Sequence, residues 1–222
     1  TSAAGPSLEG THSTTLINGG AETGDLTGWT GDVTVTTSEV NGSPRTGSYF
    51  FFGGTQSAAS MYQDIAIDPA EVDAVDAGER SVTLSWWQAS ASGSDGAEGI
   101  ITFYDSFGFP VGQKKSDFNA PDDSLGWVNY TITELMPVHT RRVRVQFDMT
   151  LVSGSNLNAY VDDIEVTYKD ETAIFVDAAL TNVVLGAAPG RMSVIGTRNH
   201  VIMGATTDLT VKRNSTFVIV ET

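Results

Sequence analysis

Residues 143–147 read Val-Arg-Val-Gln-Phe, and residues 161–166 read Val-Asp-Asp-Ile-Glu-Val. Both are read as alternating apolar and polar positions, the period of a strand with one buried face and one wet face. Runs of β-branched and aromatic residues recur on either side of them. They predict strands near 33–37, 48–52, 58–67, 81–88, 99–104, 127–133, 142–149 and 158–168, with Gly, Pro, Asn and Asp clusters between. One stretch, 68–80 (DPAEVDAVDAGER), has helical composition and reads as an acidic surface turn or short helix. Strands at this spacing without helical crossovers predict an all-β fold built as an antiparallel sandwich, not an α/β fold.

The chain has 222 residues, enough for one large β domain or a smaller one with an appendage. Its 27 acidic against 12 basic residues give a net charge of −15, which repels phosphate backbones and argues against nucleic acid as a partner. The absence of cysteine excludes disulfides, thiolate metal sites and thiol nucleophiles. No apolar run approaches the roughly 18 residues of a membrane span, so membrane insertion is not expected. The first residues, Thr-Ser-Ala-Ala-Gly-Pro, lack a basic and apolar leader pattern. Residues 1–14 are small and polar and read as a flexible arm.

Composition changes near residue 170. Residues 1–176 hold 24 acidic and 8 basic side chains, whereas 177–222 hold 3 and 4. Phe217 is the sole aromatic after Phe175. Short apolar runs, Val183–Leu185, Met192–Ile195, Val201–Met203, Leu209–Val211 and Phe217–Val220, predict a β-meander of about five strands over 173–222. So few large side chains make a weak core, so this module is expected to pack against another surface and to serve anchoring or oligomerisation.

Certain phrases, taken in order, resemble carbohydrate-binding modules of the galactose-binding-like superfamily. They are Leu16-Ile-Asn-Gly-Gly-Ala-Glu22 leading to Trp29, the loop Thr46-Gly-Ser-Tyr-Phe-Phe-Phe-Gly-Gly54, and Tyr62-Gln63-Asp-Ile65. The strand Ser81-Val-Thr-Leu-Ser-Trp-Trp87 follows, then Trp127 and the closing Tyr160-Val-Asp162-Asp163-Ile164. The resemblance spans about residues 15–168 and implies a jelly roll over 15–169 with its first and last strands adjacent. It also implies a structural calcium held by Glu22 and by Asp162 or Asp163, with carbonyls near Asn18 and the Gly47–Ser48 loop. Hard cations take six to eight oxygens, and carboxylates beside a glycine-rich loop supply them. Ordinary turn hydrogen bonds would use the same carboxylates. Strand alternation places Asp162 and Asp163 on opposite faces, so one of them is expected to reach the site.

No catalytic constellation is visible. His12, His139 and His200 are isolated, no Gly-x-Ser-x-Gly elbow occurs, and no His-x-x-x-His spacing marks a zinc site. The chain therefore reads as a non-enzyme. Sugar recognition stacks pyranose rings on exposed aromatics, and Trp86, Trp87, Phe107 and Phe109 are the candidates. Of the adjacent Trp86 and Trp87, one faces the core and the other faces out. The chain reads as complete at both ends, with no catalytic domain attached. That favours a virion-surface protein, of the capsid-decoration or bacteriophage tail-appendage kind, over a secreted glycan-targeting module located outside the cell. Its expected partners are itself as a homo-oligomer, trimeric for preference, capsid or tail proteins, and a cell-surface glycan.

Overall fold

The computed structural model describes residues 11–39, 42–91, 94–121 and 126–170, and the backbone of six further strands between 174 and 220. The chain divides into two compact units, one spanning Thr11–Lys169 and one containing Asp170–Thr222.

The first unit is an antiparallel jelly-roll sandwich. Its numbered strands are β1 (Thr11–Ser13), β2 (Thr30–Gly31), β3 (Thr34–Thr36), β4 (Phe50–Gly54), β5 (Ala58–Ala66), β6 (Arg80–Ser90), β7 (Gly96–Tyr104), β8 (Pro110–Lys115), β9 (Val128–Leu135), β10 (Arg142–Thr150) and β11 (Leu157–Asp170). One sheet runs β3-β4-β11-β6-β9, with β1 pairing to β11, and the other runs β2-β5-β10-β7-β8. Alternate residues of each sheet meet between them. Met61, Ile65, Val143, Val145, Phe147, Ile101 and Phe103 of the five-stranded sheet share one core with Leu84, Trp86, Val161, Ile164 and Val166 of the other. Trp86 has no exposed surface and lies stacked on Tyr130 and edge-on to Phe147. Aromatic burial of this size supplies several kcal/mol per ring, on the order of 3–5 for loss of a whole Trp or Phe.

The helical segment is short, a 3-10 turn at Pro69–Glu71 followed by α1 (Val72–Ala77). The Asp68 carboxylate accepts the Ala70 N–H at its start, and Gly78, at φ 73°, ends it in the left-handed conformation. No helix among the described residues is long and apolar enough to cross a membrane.

Three sequence expectations need correction. Residues 11–13 are not arm but strand, since Thr11, His12 and Ser13 pair with Lys169, Tyr168 and Thr167. β8 is missing from the sequence reading because it is an edge strand of exposed, mostly polar residues with no apolar alternation. Finally, Val161–Val166 does not alternate evenly. Leu157, Ala159 and Val161 are buried in the core, and so are Ile164, Val166 and Tyr168, so the phase shifts by one residue between them. Asp163, at φ 47°, absorbs the extra residue. This is a β-bulge.

The bulge is where the chain's opening phrase docks. Ile164 N–H donates to the Gly19 carbonyl at 2.9 Å, and the Thr14 hydroxyl donates to the Val166 carbonyl at 2.9 Å. Gly19 permits this approach, because a Cβ there would stand 2.1 Å from the Ile164 oxygen.

The second unit departs from the expected meander. Its strands are β12 (Ile174–Val176), β13 (Asn182–Leu185), β14 (Arg191–Ile195), β15 (His200–Met203), β16 (Asp208–Lys212) and β17 (Val218–Val220). They form two three-stranded sheets, β12-β14-β16 and β13-β15-β17, with their strands paired in parallel. Ile174 pairs with Met192 and Met192 with Leu209, a repeat of 18 and then 17 residues. Val183, Val201 and Val218 repeat the same way in the other sheet. A parallel pair needs a long crossover, and here each crossover is itself a strand of the other sheet. The result is a two-sheet β-solenoid.

Replacing Gly19 with Ala is expected to cost about 1–3 kcal/mol, since backbone must move to admit the methyl group. Urea unfolding of Gly19→Ala against the parent checks this, and an unchanged midpoint would contradict the docking described.

Candidate functional site

The three acidic residues implicated in a cation site all approach Gly20, with the Glu22 carboxylate itself turned to Gly47. A Cβ on Gly20 would lie 3.5 Å from Asp163 Oδ1, 3.7 Å from Glu22 Cγ and 3.8 Å from Asp162 Oδ1. The expectation that only one of the two aspartates reaches this place fails, because the bulge removes the strand alternation on which it rested. Both grip the 45–48 loop. Asp162 Oδ2 accepts the Arg45 N–H at 2.9 Å and the Thr46 N–H at 3.5 Å, while its Oδ1 accepts the Asp163 N–H at 2.7 Å. Asp163 takes the Thr46 hydroxyl at 2.6 Å and the Arg45 guanidinium at 2.5 Å. Glu22 accepts the Ser48 and Tyr49 N–H groups, each at 3.0 Å. Its carboxylate lies against Gly47, where any side chain would collide with it. The Asn18 carbonyl accepts Trp29 Nε1 at 3.1 Å.

Burial raises the Asp162 carboxyl from 3.8 to about 6, against backbone N–H donors that pull it down. Among the described residues no group of three or more His, Cys, Asp or Glu side chains has metal-binding geometry. The carboxylates here act through backbone N–H groups, tying the opening phrase, the loop and β11 into one junction.

The four aromatic candidates separate. Trp86 is wholly in the core and unavailable to any ligand, which corrects its assignment as a sugar contact. Trp87 is the outward-facing member of the pair, but the Arg45 guanidinium lies 3.7 Å over its ring. Phe107 and Phe109 are 84% and 67% exposed. They occupy the β7–β8 turn, where Asp105 Oδ1 accepts both their N–H groups at 2.9 Å and Gly108 takes φ 84°. The turn is held by its own hydrogen bonds while presenting two rings to water. Trp87 and this turn belong to different sheets and do not meet at one site.

The turn extends a polar face that the sequence reading left out. Outward residues of the five-stranded sheet form cross-strand rows: Asp64, Arg144, Thr102 and Gln113, then Ala66, Arg142, Tyr104 and Pro110. Arg144 lies 3.7 Å over the Tyr62 ring and holds Asp64 through Nε and Nη2, both at 2.8 Å. Arg142 lies 4.3 Å over Tyr104 and reaches Asp64 through Nη1 at 3.0 Å. Arg144 holds the Asp64 carboxyl below its ordinary value. The available signal was the polar phase of the period-two strands, Arg142 and Arg144 on β10 against Tyr62 and Asp64 on β5. Attention to the apolar phase passed over it.

No family model and no curated protein matches the chain. Solved structures are similar to it. One is the enzymatically active domain of tailspike protein 4 from bacteriophage CBA120, similar over 69% of this chain and 21% of its own length, at 15% identity and a TM-score of 0.49. Another is the module TmCBM61, solved with β-1,4-galactotriose, over 69% of this chain and 97% of its own, at 18% identity and a TM-score of 0.47. The CBM22-1 xylan-binding domain of Paenibacillus barcinonensis Xyn10C matches over 73% and 94%, at 16% identity and a TM-score of 0.47. Likeness at this level assigns no function, and the fold stands on its own strand order.

Two carboxyls give opposite pH signatures. The Arg141 guanidinium, with the His139 N–H, holds Asp76 at about 2, below its ordinary 3.8. That stability is present above the unfolded value and is lost as pH falls toward 2. Asp162, raised to about 6, contributes stability below 3.8 that is lost as pH rises through 6. Unfolding of the chelator-treated protein across this range should show both slopes. Asp162→Asn should flatten the upper one and Asp76→Asn the lower one.

Proposed function

We propose that this chain is a non-catalytic, surface-exposed adhesion protein of a virus particle, of the capsid-decoration or tail-appendage kind. Its jelly roll binds a cell-surface glycan on the outer face of the five-stranded sheet. The observation that carries the glycan reading is the pair Phe107 and Phe109, presented to solvent by a turn whose hydrogen bonds are already satisfied. Exposed rings cover the apolar faces of sugars, while nearby donors and acceptors take the hydroxyls. Arg142, Asp64, Gln113 and Gln146 supply both kinds in the rows that run up to the turn. The virion reading is supported by the split between an acidic first part and a near-neutral second one. Self-association and docking on capsid or tail proteins through the second unit avoid the repulsion that acidic surfaces would create. A trimer or another closed ring is the expected assembly.

A calcium ion at the carboxylate junction belongs to the same proposal. Glu22 and Asp163, with Asp162 behind them, would hold it, and it would offset the burial of Asp162. A second reading, a secreted module that targets a polysaccharide, is favoured by the confinement of the whole candidate face to the first unit. A chain that sediments as a monomer supports that second reading, and a closed ring supports the first.

Phe107→Ala and Phe109→Ala should abolish glycan retention in affinity electrophoresis without moving the melting temperature. Retention that survives both changes contradicts the site. Saturating calcium, at a hundredfold excess over its dissociation constant, should add about 2.7 kcal/mol of stability, lost on chelation and in Glu22→Gln. A melting curve indifferent to chelator removes the ion from the proposal.

A further inference from the structure

On this face two guanidiniums share one carboxylate. Arg142 and Arg144 share Asp64, and no other acidic side chain bonds either of them among the described residues. The neighbouring acids are otherwise engaged. Glu98 lies 4.0 Å from Lys115, Asp148 accepts Gln146 Nε2 at 2.7 Å, and Asp105 caps the Phe107–Phe109 turn. Asp148 also stands four residues from Arg144 along β10, about 13 Å at strand rise.

The two arginines are not equivalent. Arg144 spends its Nε–Nη2 edge on Asp64, and its plane lies on Tyr62. Arg142 touches Asp64 through Nη1 alone, and its side chain is the more exposed, 36% against 23%. Its Nε–Nη2 edge has no partner among the described residues, while Tyr104 covers one side of the guanidinium at 4.3 Å. A planar fork with an open edge, one side covered by an aromatic ring, can take one carboxylate by two parallel N–H···O bonds.

We infer that the ligand is a glycan bearing an isolated carboxylate, a uronic or sialic acid unit, and that Arg142 binds that carboxylate while the Phe107–Phe109 turn covers a neighbouring sugar ring. This rests on the glycan reading of the face. The acid is isolated rather than part of a polyuronate because a chain of net charge −15 repels a polyanion more strongly than a single carboxylate held by Arg142.

The test uses the full chain and a panel of oligosaccharides each carrying one uronic or sialic acid, together with the same panel after carboxyl reduction. Binding of acidic members should fall about tenfold or more on carboxyl reduction and in Arg142→Ala, with Arg142→Lys restoring part of it. Asp64→Asn keeps both guanidiniums and removes their competing anion, so it should tighten acidic binding, and it serves even where Arg142→Ala does not fold. Equal binding of acidic and reduced panels, still abolished by Phe107→Ala, overturns the acidic ligand and leaves the glycan face standing. Weaker acidic binding in Asp64→Asn also overturns it. A protein that retains neither panel overturns the glycan face as well.

Discussion

The extra residue at Asp162–Asp163 fixes how the first unit closes. Without it, β11 would present one aspartate to the core and one to water. With it, the strand keeps its apolar residues in the core on both sides of the bulge and turns two adjacent carboxylates toward the 45–48 loop. Ile164 then pairs with Gly19, so the start of the unit is tied to its last strand by backbone and by charge at one place. Glu22 completes the tie from the opening segment to the same loop. A buried carboxylate is costly unless its lone pairs are satisfied, and three backbone N–H groups satisfy Asp162.

Charge is distributed with the same selectivity. The first unit is strongly acidic, yet three of its arginines are consecutive or nearly so, Arg141, Arg142 and Arg144. The strand alternation sends Arg142 and Arg144 to one face, while Arg141 turns to Asp76 in the short helix. Both guanidiniums are covered on one side by a tyrosine ring and share one carboxylate, Asp64. Tyr62 and Tyr104 lie beneath these guanidiniums, at 3.7 and 4.3 Å from ring centroid to Arg144 and Arg142 respectively.

Much of the sandwich was legible because burial of one face imposes a period of two, and the strands over 58–67, 81–88 and 142–149 declare it. β8 was not legible, since an exposed edge strand has no apolar phase to read. The parity change in β11 was hidden inside an apparently regular run, although two consecutive acids between Val161 and Ile164 mark the place. At the candidate site, Trp87 was separable from Trp86 only by the register that pairs Trp86 with Tyr130. The second unit was misread because strand spacing alone does not distinguish neighbours in one sheet from neighbours in two. The repeat Val183-Val-Leu185, Val201-Ile-Met203, Val218-Ile-Val220 at near-constant interval carried that distinction.

The stacked construction of the second unit has an evolutionary corollary. Each turn of the solenoid touches only the turns above and below, so length is an independent variable. Duplicating one 17- or 18-residue segment would insert a layer about 4.8 Å thick and leave every existing register intact. The antiparallel sandwich has no such freedom, since most of its strands are bound to partners far away in sequence. The two units of this chain therefore tolerate added length differently, the sandwich having no repeat to copy and the solenoid growing by whole increments of height.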